Sequence, residues 1–144
     1  MLSYKMSKSA DIIMGNLNEQ KLIEYLNSLE ENQNDKYKFF KNKFNSMDLF
    51  NSQYICELKS RRNCYNQYPT TMVGHNKIVR AVSDPQQKYR FYFLFTDGLY
   101  YWDFDANEFS VRLGGRMDRG INEIKQYAYI SIGCLTYATN FIVS

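Results

Sequence analysis

The strongest limit on the fold comes from two charges inside a buried-looking strand. The segment Tyr54-Ile55-Cys56-Glu57-Leu58-Lys59-Ser60 has the apolar flank and alternation of a buried β-strand, yet carries Glu57 and Lys59. Charge in such a strand is costly unless a partner meets it. A second strand-like segment, Met47-Asp48-Leu49-Phe50, precedes it across Asn51-Ser52-Gln53, a cluster of turn formers. Pairing about that turn sets Asp48 opposite Glu57, with Cβ atoms about 5 Å apart on one face. Two carboxylates so placed repel unless positive charge lies between them. Mg²⁺ suits that position, because it takes hard oxygen ligands and keeps several waters. Period-two alternation puts Lys59 on the face of Glu57. Leu58 then points into the core, with its carbonyl free to lie near the metal. An ammonium beside a bound water can orient or deprotonate it, or stabilise a phosphorane-like transition state. A cross-strand salt-bridge group would use the same residues without a metal.

Around this hairpin the chain reads as helix, strands, helix, strands. Residues 1–15 read as a flexible leader and 16–144 as one domain. Leu17, Leu22, Ile23, Leu26 and Leu29 fall near a 3.6-residue period and predict a helix over 17–31, with Asn16 or Asn18 as N-cap. Residues 37–44 alternate weakly. Thr70 to Val82 reads as a second helix, with Pro69 or the threonines Thr70 and Thr71 at its start and the threonines as caps, stopped by Asp84-Pro85. Lys88–Phe95 and Leu99–Phe104 flank Asp97-Gly98, a hairpin signal, and further strands are expected at 108–113 and 127–132. The expected class is α/β (α+β): a single domain with a central mixed β-sheet flanked by helices.

Asp48 followed by Glu57-Leu58-Lys59 resembles the signature of the PD-(D/E)XK nuclease-like superfamily. The resemblance spans about residues 15–82, with Met47 where Pro is usual. It implies a restriction-endonuclease-like fold and a metal site of Asp48, Glu57 and the Leu58 carbonyl, with Lys59 as the catalytic base or water-orienting group. In several branches a Glu on the preceding helix joins the metal. Glu19 fits that place best, with Glu24 as the alternative. Lys77 would come from the helix beside the site. The cofactor implied is Mg²⁺ or Mn²⁺. The junction-resolving branch is dimeric, which makes a homodimer the expectation by analogy. The composition, rich in Asn, Lys, Tyr, Ile and Phe, and the segments Tyr68-Pro69-Thr70-Thr71, Asn76-Lys77 and Gly114 to Gly120 also resemble nuclease-like proteins of large DNA viruses.

Charge distribution points to the same partner class. Net charge is only +3, but acids dominate residues 1–35 and cations dominate 57–90. Arg61, Arg62, Tyr68 and Lys77, with Arg116 and Arg119 in a Gly-containing loop, are candidate nucleic-acid contacts. Arg and Lys would neutralise phosphates, and Tyr would stack on unpaired bases. His75 is the only histidine and sits in no nucleophile context, so it reads as a surface residue. No apolar run approaches a membrane span, and no secretory signal opens the chain. Cys56, Cys64 and Cys134 have no zinc or disulfide spacing, which suggests a reducing, intracellular setting. The expectation is a Mg²⁺-dependent nuclease, structure-specific or non-specific and acting on DNA rather than RNA. A nuclease fold that binds nucleic acid without cutting it, or serves as a virion accessory, is the alternative. A tyrosine-rich protein-interaction domain is the third.

Overall fold

A computed structural model describes residues 8–41, 47–115 and 124–140. The chain runs α1 (Lys8–Ser28), β1 (Lys38–Phe39), β2 (Leu49–Phe50), β3 (Tyr54–Ser60), β4 (Thr70–Gly74), α2 (His75–Val82), β5 (Lys88–Phe95), β6 (Gly98–Asp103), β7 (Phe109–Gly114), β8 (Lys125–Ser131) and β9 (Thr136–Thr139). This is the expected α+β domain.

Six strands form a mixed sheet in the order β1-β2-β3-β5-β6-β9. Only β3 and β5 are parallel there, from Tyr54 opposite Lys88 to Ser60 opposite Leu94. That pairing needs a crossover, and β4 with α2 supplies it. β5 lies inside the sheet and reads Tyr-Arg-Phe-Tyr-Phe-Leu-Phe after Lys88, a nearly unbroken apolar run, as a strand covered on both faces requires. Its alternate residues enter two cores. Tyr92 and Leu94 pack with Cys56, Leu58, Leu99 and the α1 residues Leu22, Ile23 and Leu26. Phe91, Phe93 and Phe95 pack with Trp102, Val73 of β4, Ile78 and Ala81 of α2, and Ala128 and Ile130 of β8.

Four expectations change. The second helix begins at His75, not Thr70, because Thr70–Gly74 is a strand paired with β8 from Thr70 opposite Ser131 to Gly74 opposite Tyr127. Thr70 and Thr71 are therefore ladder residues rather than caps. Tertiary pairing satisfied this short β-branched run as strand, which outweighed a local helix reading. The single sheet becomes two, since β4, β8 and β7 form a separate antiparallel sheet. The first helix starts earlier than 17 and includes residues 8–15. The strand read over 37–44 is seen only at Lys38–Phe39 among the described residues, and β9 was not anticipated. The Asp97-Gly98 hairpin is present, with Phe95 opposite Gly98.

Candidate active site

The β2–β3 hairpin has the register that its turn implied. Leu49 faces Cys56 and Phe50 faces Ile55, which continues to Asp48 opposite Glu57. The turn is tied locally. Asn51 Oδ1 accepts from the backbone of Gln53 at 2.9 Å and Tyr54 at 2.8 Å. The Asp35 carboxylate accepts from Ser52 N at 3.0 Å and Ser52 Oγ at 2.5 Å. At the other end the backbone ladder stops at Asp48, whose N–H donates to the Cys56 carbonyl at 3.0 Å. The next strand N–H, that of Leu58, donates instead to Asp48 Oδ2 at 2.7 Å. A side-chain carboxylate thus takes the place of a ladder carbonyl and is held beside β3. In an antiparallel pair the N–H and C=O of one residue point to the same neighbour. The Leu58 carbonyl therefore opens on the Asp48 side.

Glu57 is 2 % exposed. Its Oε2 lies 3.0 Å from Lys77 Nζ and 3.3 Å from Lys59 Nζ. Burial pushes the Glu57 carboxyl up, but Lys59, a hydrogen bond with Asp48 and Lys77 together outweigh it and hold it below the usual range. Oε2 still lacks a well-directed hydrogen bond, so it is met by charge alone. Asp48 behaves oppositely. Burial, then the charge and hydrogen bond of Glu57, then Glu19, push its carboxyl up to about 9. Glu19 on α1 is raised by burial and by Glu57, against the lowering pull of a hydrogen bond with Asp48. Asp48 is thus the hydrogen-bonded neighbour of both Glu57 and Glu19. Glu24 is exposed and accepts from Gln20 Nε2 at 3.1 Å, so it takes no part.

The structure brings Asp48, Glu57, Lys59, Glu19 and Lys77 together, and Leu58 lies in the core with its backbone at the site. It distributes the remaining basic residues elsewhere. Arg61 is turned inward: Nε donates to Thr71 Oγ1 at 3.3 Å, Nη2 donates to the Met72 carbonyl, and desolvation pulls the guanidinium down to about 10. It holds β3 to β4 rather than facing solvent. Arg90 is bidentate to Asp103 at 2.6 and 3.2 Å and lies between the rings of Tyr54 and Tyr101, at 4.1 and 4.2 Å. Arg62 and Tyr68 are exposed. Arg116 and Arg119 lie outside the described residues. His75 opens α2 and is partly exposed.

Asn18 is the residue that sequence reasoning misplaced. It is no N-cap but lies inside α1, 4 % exposed, one turn before Leu22 on the buried stripe. Its Nδ2 donates to Ser60 Oγ at 2.7 Å, while its buried Oδ1 has no partner. The bond joins the residue before Glu19 to the residue after Lys59. A polar residue interrupting an otherwise apolar helix stripe was the available signal.

The donor set suits a hard cation. Asp48 and Glu57 offer carboxylate oxygens, Leu58 a carbonyl and Glu19 a third carboxylate, and the buried Glu57 Oε2 is met by two ammonium groups but by no directed hydrogen bond. Among the described residues no group of three Asp, Glu, His or Cys side chains is already arranged as a metal cage. A family model described as "Phage putative PDDEXK endonuclease" matches residues 18–136. No curated protein matches the chain. No solved structure matches it. No helix of the described residues is long and apolar enough to cross a membrane.

Proposed function

Since this chain belongs to the phage putative PDDEXK endonuclease family, we propose that it is a Mg²⁺-dependent nuclease that hydrolyses phosphodiester bonds, in DNA rather than RNA. The observation that carries this reading is the meeting of Asp48, Glu57 and Lys59 on opposed strands with Glu19 and Lys77 from two helices. Asp48, Glu57, the Leu58 carbonyl and Glu19 would hold the cation. Bound there, it would supply Lewis-acid charge at the scissile phosphate and lower the pKa of a bound water.

The chain's own residues do the rest. Lys59, partly exposed beside buried Glu57, faces the attacking water and orients it or takes its proton. Lys77 is more enclosed and ion-paired with Glu57, and places its ammonium near the phosphate oxygens. Arg62 and Tyr68, exposed in the loop between β3 and β4, contact the nucleic-acid backbone and bases. Contacts of this kind position a strand without reading sequence. Homodimerisation is proposed by analogy with the junction-resolving branch.

A second reading has its own support. Lys59 and Lys77 already neutralise Glu57, so the site is charge-compensated by protein groups alone. A non-cutting, nucleic-acid-binding module would keep that arrangement. Labelled single-stranded, duplex and four-way-junction DNA, incubated with Mg²⁺, Mn²⁺ or EDTA, separates the two. Metal-dependent cutting lost in Lys59→Ala supports the nuclease. Salt-sensitive binding unchanged by EDTA, with no cutting, supports the module.

A further inference from the structure

A cavity of about 390 Å³ opens beside the candidate active site, lined by Phe40, Phe50, Asn51, Ser52, Ile55, Asp84 and Gln87. Its size lies within the range of small-molecule sites. Its position follows from strand alternation. Phe50 faces Ile55, and each lies two residues from an acid of the site, Asp48 and Glu57 respectively. The two pairs therefore share one face of the sheet, about 6.6 Å apart along the strands. Helix α2 runs alongside. Lys77 meets Glu57, Arg80 lies one turn on with its guanidinium 5.6 Å from the Phe40 ring centre, and Asp84 follows at the cavity. The carboxylates and ammonium groups thus lie at one end of this sheet face and the aromatic-walled cavity at the other.

The pocket's chemistry does not suit a phosphate. The charged group lining it is the Asp84 carboxylate, which would repel one. The rings of Phe40 and Phe50 pack 4.6 Å apart, and with Ile55 they form an apolar wall for a flat ring. Asp84 Oδ2 accepts from Tyr89 Oη at 2.7 Å. Asp84 Oδ1 and the Gln87 carboxamide make no hydrogen bond among the described residues. Asn51 and Ser52 are engaged in the turn. An aromatic wall beside a carboxylate oxygen and an amide fits an unpaired base, which offers a ring face together with donors and acceptors along its edge.

We propose that this cavity takes the unstacked base of a nucleotide neighbouring the scissile phosphate, so that the substrate is single-stranded or locally unpaired nucleic acid. The proposal rests on the nuclease reading and assigns its substrate class. An intact duplex would have to unstack and unpair a base first.

The test is fluorescence anisotropy with Mg²⁺ in the Lys59→Ala background, using labelled poly-dC and poly-dT single strands and a duplex. Phe40→Ala and Gln87→Ala, both at partly or fully exposed positions, are added singly. Removing a stacking wall or a base contact is expected to weaken binding of both single strands about ten-fold, with duplex changed less than about two-fold. The proposal is overturned if the variants bind the single strands as their parent does, or lose single-strand and duplex affinity equally. Those outcomes leave the nuclease reading standing. A parent protein that binds none of the three probes sinks both.

Discussion

Replacing Asp48 by Asn is expected to stabilise the metal-free protein while abolishing its response to divalent cations. The structure holds the Asp48 carboxyl at about 9, against an ordinary 3.8, through burial and the neighbouring acids Glu57 and Glu19. The folded protein therefore keeps a proton that the unfolded chain releases near pH 4. Over that window unfolding releases this proton, so metal-free stability falls as pH rises, by up to about 1.4 kcal/mol per pH unit. The stabilising contribution is fully present below pH 4 and is lost by pH 9. From pH 5 to pH 7 the loss is about 2–3 kcal/mol, or roughly 10 °C in Tm for a domain of this size. Asn is neutral at every pH, and its Oδ1 can still accept from Leu58 N–H as Asp48 Oδ2 does. The variant should therefore show a nearly flat Tm between pH 5 and 8, lying above the wild type at pH 8. Mn²⁺ should raise the wild-type Tm most at high pH, where the proton it displaces is weakest held, and should leave the variant unmoved. Differential scanning calorimetry with EDTA and with Mn²⁺ measures both. A wild-type Tm that is level from pH 5 to 7, or a variant with the same slope, would refute the reasoning that three acids crowd this point.

Other substitutions separate the roles of the surrounding residues. Lys77→Met leaves Glu57 2 % exposed with Lys59 as its remaining ion-pair partner, and urea titration should show a loss of about 3–5 kcal/mol, largely recovered in the Glu57→Gln, Lys77→Met double variant. Arg61→Met removes donors to Thr71 and Met72, and should lower stability by about 1–3 kcal/mol without changing the salt dependence of DNA binding; a smaller salt slope would mean that Arg61 reaches phosphate after all. Asn18→Leu extends the apolar stripe of α1 and should preserve Tm while weakening Mn²⁺ binding in calorimetric titration, because the tie to Ser60 beside Glu19 and Lys59 is lost. Equal Mn²⁺ affinity in that variant would make Asn18 a packing residue only.

The hairpin at the centre of the site was legible because its information is local. A two-strand register follows from the turn, and the turn residues Asn51 and Ser52 close it through short-range bonds that their side chains favour. Asp48, Glu57 and Lys59 fall on one face by alternation, and a buried charge in an apolar strand announces that something must meet it. The family likeness lay in the same residues. The Asp97-Gly98 turn that joins β5 to β6 was legible for the same reason.

Tertiary structure decided the rest. Glu19 and Glu24 are both helix acids, and only the docking of α1 against β3 puts the first beside Asp48 and leaves the second in solvent. The run Thr70–Gly74 could serve as helix or strand until β8, more than fifty residues later in sequence, offered it a ladder. The basic stretch looked like one patch along the chain, yet folding divides it among Glu57, the β4 backbone and Asp103, because each buried cation takes the nearest acceptor that its layer supplies. Local spacing determined which groups share a strand face. Which groups share a point in space depended on how the two helices and the second sheet close over that face.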